Sequence, residues 1–521
     1  MIDRIGKYYH TLKYLKWTQI RYRIQQVLLP SQSGKFSTES VPASRFLQLV
    51  EDIPAYAGWR VNDDFCFVNI IHSFPEEIDW NCFDYGILWR FNLNYFEFLH
   101  QPNMTKENGI RLIDDFIKKY DTLEGGRKAF PTSLRLTNWI KFICKHKIRN
   151  PLFDQSLWQQ TQLLKKNIEF HLLGNHLLEN AFGLLYSGVY FNDSDLTKIA
   201  VDILIPQLQE QILSDGGHFE LSPMYHQLML YRILDCINLI AHNAKKGQET
   251  LLTLLQDKAE LMLGWMQEMK FQNGDLPKVN DSTDGIAPLP DALMEYANRL
   301  HLTPKKTSLG ATGYRMIRKN NYEILVDVGA VGPDYIPGHA HSDTLSFVLH
   351  YQSEPLIVDT GISTYEKNER RTLERSTWSH NTVMVDGKEQ SEVWGGFRVA
   401  RRARITALIE EVDQITASHD GYKKIGVRHQ RAFRFDDKKI ILTDNLTGDK
   451  SGSAFLHFHP SVLVDLVDET ITGRFGRIEF KNVQSIRLEV YQHAMGFNNT
   501  VPATKAIIDF KDQLITEIIL D

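Results

Sequence analysis

The stretch NYEILVDVGAVGPDYIPGHAHSDTLSFVLHY (residues 321–351) decides the fold, because the hydrophobic period of the chain changes as it is entered. Tyr322–Gly329 and Thr344–Tyr351 read as strands, with Gly, Pro and Asp punctuating the chain between them. Downstream the texture recurs in Leu356–Asp359, Asn381–Asp386, Ala403–Glu410, Gln430–Phe435, Lys439–Asp444 and Ser453–His459. Turn residues such as Asp436–Asp437 and Gly448–Asp449 separate them. Short strands with turns every ~8–15 residues predict an antiparallel sandwich. Upstream, residues 85–305 read as helices, among them Gln155–Leu173, His176–Tyr190, Val201–Leu213 and Leu252–Met269. Repeated helical hairpins over that length suit an (α/α) toroid. The expectation is an α+β multidomain chain, an N-terminal (α/α) toroid followed by a C-terminal antiparallel β-sandwich. Its parts are a helical segment and linker (1–45), the toroid (46–308) and the sandwich (309–521). The linker reading rests on the Ser- and Pro-rich run at 31–45.

Composition narrows the function. The chain has 521 residues, 43% hydrophobic and 24% charged, an ordinary globular balance. With a formal net charge of −5 there is no bulk basic field for a phosphate backbone, so nucleic acid is not expected as a partner. No apolar run is long enough for an integral membrane span. The four cysteines, Cys66, Cys82, Cys144 and Cys236, form no C-x-x-C pair and read as buried thiols. The N-terminal stretch has no continuous apolar core of a signal peptide. As written, the chain reads as cytoplasmic, or periplasmic if a signal has been removed. Its Ile5, Tyr8, Leu12, Leu15, Trp17 and Ile20 fall near helical spacing, suiting a helix packed on the main body or one lying on a membrane surface. Nothing in the sequence sets an oligomeric state.

Several clusters carry chemistry. In PGHAHSDTLSF, His339 and His341 are two apart and would share a face if extended. With Asp359 in VDTG and His380 in SHNTVMVDG, His341 makes a two-imidazole, one-carboxylate set suited to zinc, or else a hydrogen-bonded His–Asp pair supporting the sandwich. GNHLLENA supplies Asn175, near a helix start, and His176 and Glu179 on one helix face. DGGHFELSPMYHQ crowds Asp215, His218, Glu220, Tyr225 and His226 around glycines and a proline, as in a shaped loop. There Glu220 and Asp215 could pair as glycosidase carboxylates, or Tyr225 could transfer a proton. WRFNLNYF (89–96) and PTSLRLTNWIKF (131–142) mix aromatics with Arg90, Asn92, Arg135 and Asn138, suited to stacking on sugars and binding carboxylates, or to a packed helix. The run ERRTLERSTWSH holds Arg370, Arg371 and Arg375, which suit an acidic polymer or a solvated segment. There is no Walker motif, no G-x-G-x-x-G in a strand–helix setting and no G-x-S-x-G.

Taken in order, these motifs resemble the heparinase II/III family of polysaccharide lyases over most of the chain. GNHLLENA, GHAHSDTLSF and SHNTVMVDG together are a specific combination. The resemblance implies the toroid-plus-sandwich fold with the active cleft between the domains. It implies Asn175 and His176 as the groups that neutralise a uronate carboxylate, and Tyr225 and His339 as catalytic residues. Tyr365 is implied as a second active-site tyrosine and Glu179 as a supporting carboxylate; Arg135, Asn138 and Glu220 are the further substrate-binding candidates read from their own motifs. It also implies a structural zinc ion on His341, Asp359 and His380 and no organic cofactor. The expected reaction is β-elimination on an acidic, uronate-containing polysaccharide, such as a glycosaminoglycan, alginate or a bacterial exopolysaccharide. The base would be His339 or Tyr225, leaving an unsaturated product. A uronate C5 epimerase, a hydrolase using Glu220 and a non-catalytic polysaccharide-binding protein are the rival readings.

Overall fold

The structure, a computed structural model, describes residues 2–28, 40–243 and 248–521. Most of the run expected as a linker, 31–39, lies outside the described residues; 40–45 is irregular chain. The main helices are Gly86–Tyr95, Lys106–Lys119, Ala129–Lys145, Pro151–Lys166, Gly174–Tyr190, Ser194–Gln211, Pro223–Asn243, Glu249–Met269 and Pro290–Arg299. Their starts follow local chemistry. Thr105, Asn150 and Asp193 each accept a hydrogen bond from a first-turn N–H, and Pro151 stands where its missing N–H costs nothing. The facing sides of these helices form one core that includes Trp139, Leu184, Ile237 and Met262.

Two features depart from expectation. The helix anticipated over Gln155–Leu173 stops at Lys166. Asn167 ends it, and the chain then turns so that the Glu169 N–H donates to Asn180 Oδ1 at 2.8 Å. A three-stranded antiparallel sheet, Trp59–Arg60, Asp64–Phe67 and Ile70–Ser73, occupies the start of the presumed toroid. Its strands are too short to show a period. It packs Phe67 against Trp89 of the first main helix at 5.4 Å between rings.

From Tyr314 onward the chain is sheet. Four antiparallel strands (Tyr314–Arg318, Tyr322–Asp327, Phe347–Tyr351 and Glu354–Ile357) face a ten-stranded sheet. Ile324, Val326 and Leu349 of one pack with Phe433, Leu442 and Ile508 of the other in one core. Two long strands, Gly476–Gly496 and Asn499–Leu520, form the spine of the larger sheet.

Polar clamps join the two domains. Asp215 accepts from the backbone N–H of Gly310 and Thr312 and from the Thr312 hydroxyl. Asn69 Nδ2 donates to the Phe497 carbonyl and Asn498 Nδ2 to that of Val68. The N-terminal helices Ile2–Leu12 and Trp17–Leu28 pack on both domains. Tyr8 meets Trp394 edge-on at 5.0 Å, and buried Gln19 donates to the carbonyls of Leu172 and Tyr335. Among the described residues no helix is long and apolar enough to cross a membrane.

Candidate active site

The helix Gly174–Tyr190 begins without a side-chain cap, at Leu173 (φ 65°, ψ −154°) and Gly174 (φ 59°). A Cβ on Gly174 would stand 2.8 Å from Ile336 and 2.9 Å from Glu220, so this start suits glycine on both counts. The twist delivers Asn175 to Glu220. Its N–H donates to Oε1 at 3.2 Å and its Nδ2 to Oε2 at 2.9 Å. One hydrogen of the amide is thereby fixed and the other left over.

His176, one residue on, bonds Glu169 through Nδ1 at 3.3 Å and rests against Phe130 at 4.5 Å between rings. A carboxylate only accepts, so Nδ1 carries the proton. Burial acts to lower the pKa of this imidazole, but the Glu169 carboxylate outweighs it and raises the value above the ordinary one.

Tyr225 stacks on His339 with ring centres 3.8 Å apart, and its hydroxyl lies 3.4 Å from that of Tyr365. Burial pushes both phenols up, Tyr365 well above its usual range, so both stay protonated at neutral pH. His339 Nδ1 is 2.8 Å from Asp281 Oδ2, so Nδ1 carries a proton toward that carboxylate, and Nε2 stands 3.5 Å from Glu220 Oε2. Asp281 also takes His341 Nε2 at 2.9 Å and both terminal nitrogens of Arg371. Burial would raise the Asp281 pKa, but Arg371 and the two imidazoles hold it well below the carboxylate range.

Asn175, Tyr225 and Tyr365 line a cavity of about 380 Å³ together with Glu179, Arg232, Glu97, Tyr95, Tyr56 and Leu289. The structure thus brings Asn175, His176, Tyr225, His339, Tyr365 and Glu220 to one place where the domains meet.

Other expected residues stand elsewhere. Arg135 is fully buried, and its guanidinium donates to Gln160, Thr132 and the carbonyls of Asn94 and Gly126, away from the cavity lining. Asn138 reaches the cavity wall but is buried, donating to the Tyr95 carbonyl. Glu179 lines the cavity and accepts from Arg232 at 3.2 Å. The glycosidase pairing of Glu220 with Asp215 fails, because Asp215 is buried in its clamp on Gly310 and Thr312. Arg371 and Arg375 are buried as well, Arg375 donating to the carbonyls of Ala340 and Gly396. The H-x-H segment is irregular, not extended, yet both imidazoles meet the single carboxylate of Asp281.

The donor chemistry of His341, Asp359 and His380 fits zinc, and His341 Nδ1 and His380 Nε2 are buried without a hydrogen-bond partner. As the side chains stand, Asp359 Oδ2 bonds His380 Nδ1 at 2.7 Å. Among the described residues, no group of three His, Cys, Asp or Glu side chains stands as a cation cage. Asp281 and Glu169 escaped the sequence reading. Asp281 lies in the polar run NDSTDG, which reads only as a loop.

The chain is similar to known proteins over both of its domains. The family model described as Heparinase II/III N-terminus matches residues 143–309, and that described as Heparinase II/III-like, C-terminal, matches residues 302–518. A heparin-sulfate lyase of Bacteroides stercoris is 24% identical over 321 residues, 55% of this chain and 45% of that protein. One from Pedobacter heparinus is 22% identical over 319 residues, 55% and 46% of the two chains. The matched stretch therefore spans under half the length of these relatives. A solved heparinase III structure superposes with a TM-score of 0.63 at 18% identity, covering 85% of this chain and 81% of the other, a likeness of fold.

Proposed function

The chain belongs to the heparinase II/III family, and from that premise we propose that it is a polysaccharide lyase cleaving a uronate-containing chain by β-elimination. The observation that carries the reading is that Asn175, Tyr225 and Tyr365 line a single cavity, with His339 stacked on Tyr225. The names of the two heparin-sulfate lyase relatives favour a glycosaminoglycan-like substrate.

The C5 hydrogen of a uronate is weakly acidic, and removing it places charge on the neighbouring carboxylate. Asn175, through its remaining amide hydrogen, and His176, as the cation that Glu169 favours, stabilise that charge. The positive end of the Gly174–Tyr190 helix adds to it. His339 Nε2 takes the proton, its tautomer set by Asp281. Tyr225, protonated at neutral pH, donates to the departing glycosidic oxygen, with Tyr365 beside it. The C4–O bond breaks, a C4–C5 double bond forms and no water is consumed.

An ultraviolet absorbance time course on a panel of uronate polymers tests this, since the unsaturated product absorbs. Tyr225→Phe is expected to keep binding and lose ~10²–10⁴-fold in turnover. Solvent deuterium entering the polymer with no chain shortening would instead assign a C5 epimerase.

The same reading assigns a structural zinc ion to His341, Asp359 and His380, supported by the two partnerless imidazole nitrogens. Bound there, the ion would crosslink the sandwich near His339. Metal analysis of the purified protein is expected to find about one zinc per chain, lost with a lowered melting temperature in His380→Ala. A metal-free protein of unchanged melting temperature would remove the assignment.

A further inference from the structure

The N-terminal helices Ile2–Leu12 and Trp17–Leu28 hold the body with one side and turn another to water. Inward, Gln19 donates to the carbonyls of Leu172 and Tyr335, Lys16 pairs with Glu210 and stands over the Tyr335 ring, and Gln26 bonds His171. The Tyr14 hydroxyl accepts from Arg404 at 3.2 Å. Outward, Ile5, Tyr9 and Leu12 follow helical spacing on the first helix, and Trp17, Ile24 and Leu28 do so on the second. All six are exposed, and so is Val27 beside them. Trp17 is 73% exposed, whereas the other eight of the nine tryptophans are buried or half-buried. Apolar surface held toward water by helices clamped in place marks an interaction site.

The charge of the same segment points to its partner. Residues 2–28 hold six Lys or Arg against one Asp, a net of +5, in a chain whose formal net charge is −5, so the remainder carries −10. An anionic surface repels such a body and attracts this segment. Lys13 and Arg21 stand exposed among the apolar residues, over the rings of Tyr14 and Tyr22 at 4.6 and 5.7 Å. The centre of a protein–protein interface is depleted of charge, lysine above all. Cations interleaved with Trp, Tyr, Ile and Leu match instead the boundary of a bilayer, where apolar groups enter and the charged heads reach the lipid phosphates. We propose that the two N-terminal helices dock the protein on an anionic lipid bilayer. Trp17, Ile24, Val27 and Leu28 enter its surface, and Lys13 and Arg21 meet its headgroups. This docking depends on neither the lyase reading nor the zinc assignment.

Vesicle flotation of the full chain tests the proposal. Vesicles of equal parts phosphatidylcholine and phosphatidylglycerol are expected to bind it at least about tenfold tighter than phosphatidylcholine alone, with the difference shrinking at high salt. The helices are kept whole, because Gln19 holds the chain just before Gly174. A Trp17→Ser, Ile24→Ser, Val27→Ser variant is expected to lose about tenfold or more on the anionic vesicles. A Lys13→Gln, Arg21→Gln variant leaves the apolar stripe untouched and is expected to lose about tenfold. It keeps the test decisive if the serine variant does not fold, which circular dichroism and the melting temperature would show. No flotation of the wild-type chain, equal binding to the two kinds of vesicle, or unchanged binding by either folded variant overturns the proposal. A concentration-dependent dimer in sedimentation equilibrium that the serine variant abolishes assigns the face to a second copy, and overturns it too.

Discussion

Two single residues set the protonation of the candidate site from outside it. Glu169 holds its carboxylate on His176 and keeps that imidazole cationic to higher pH than an isolated one. If the cation steadies the uronate carboxylate, activity is present below the folded pKa of His176 and falls as pH rises through it. Glu169→Gln lowers that pKa, so the alkaline limb of the kcat/KM profile is expected to move to lower pH; a limb that stays in place would disconnect His176 from the rate. Asp281 acts on His339 in the same manner, through the tautomer. Asp281→Asn can donate to Nδ1 and so favours the proton on Nε2, which silences the base. Turnover is expected to fall by ~10²-fold or more with little change in substrate affinity, read by steady-state kinetics and calorimetry.

At the scale of the element, the start of the Gly174–Tyr190 helix is the sensitive point. Gly174 stands at φ 59° with Ile336 and Glu220 pressed against the place of a Cβ. Gly174→Ala is expected to cost about 1–2 kcal/mol of stability. Because Asn175 moves with the helix start, turnover should fall too, a pairing that thermal unfolding and kinetics on the same variant would reveal. The neighbouring Leu173 adopts a conformation that glycine holds more readily, so Leu173→Gly is expected to be tolerated better than its lost burial implies.

For the whole molecule, the site exists only because two domains are docked. Asp281 comes from the chain before the sandwich, and Arg371, His339 and His341 come from within it, all meeting in one buried cluster. Arg371→Met leaves the Asp281 carboxylate buried with its strongest partner gone, a loss expected at about 3–5 kcal/mol. A lowered melting temperature together with lost activity would show that docking and catalysis share this contact. An unchanged melting temperature would show that the imidazoles suffice.

The sequence by itself determined the order of the architecture, helices and then strands, because a period of 3.6 or 2 is written locally in which residues are apolar. It also marked Asn175, His176, Tyr225 and His339 as chemistry-bearing candidates, and the family resemblance added Tyr365. Short or irregular pieces were not legible: the three strands of 59–73 are too brief for a period, and the H-x-H turn carries none. Tertiary structure alone decided what each polar residue faces. Arg135 sits in a motif that looks suited to sugar and is buried among carbonyls, whereas Asp281, in an unremarkable loop, orients the candidate base. The reason is physical. A side chain's hydrogen-bond partners come from segments that folding brings together, here 58 residues apart for Asp281 and His339, and no local pattern encodes that distance.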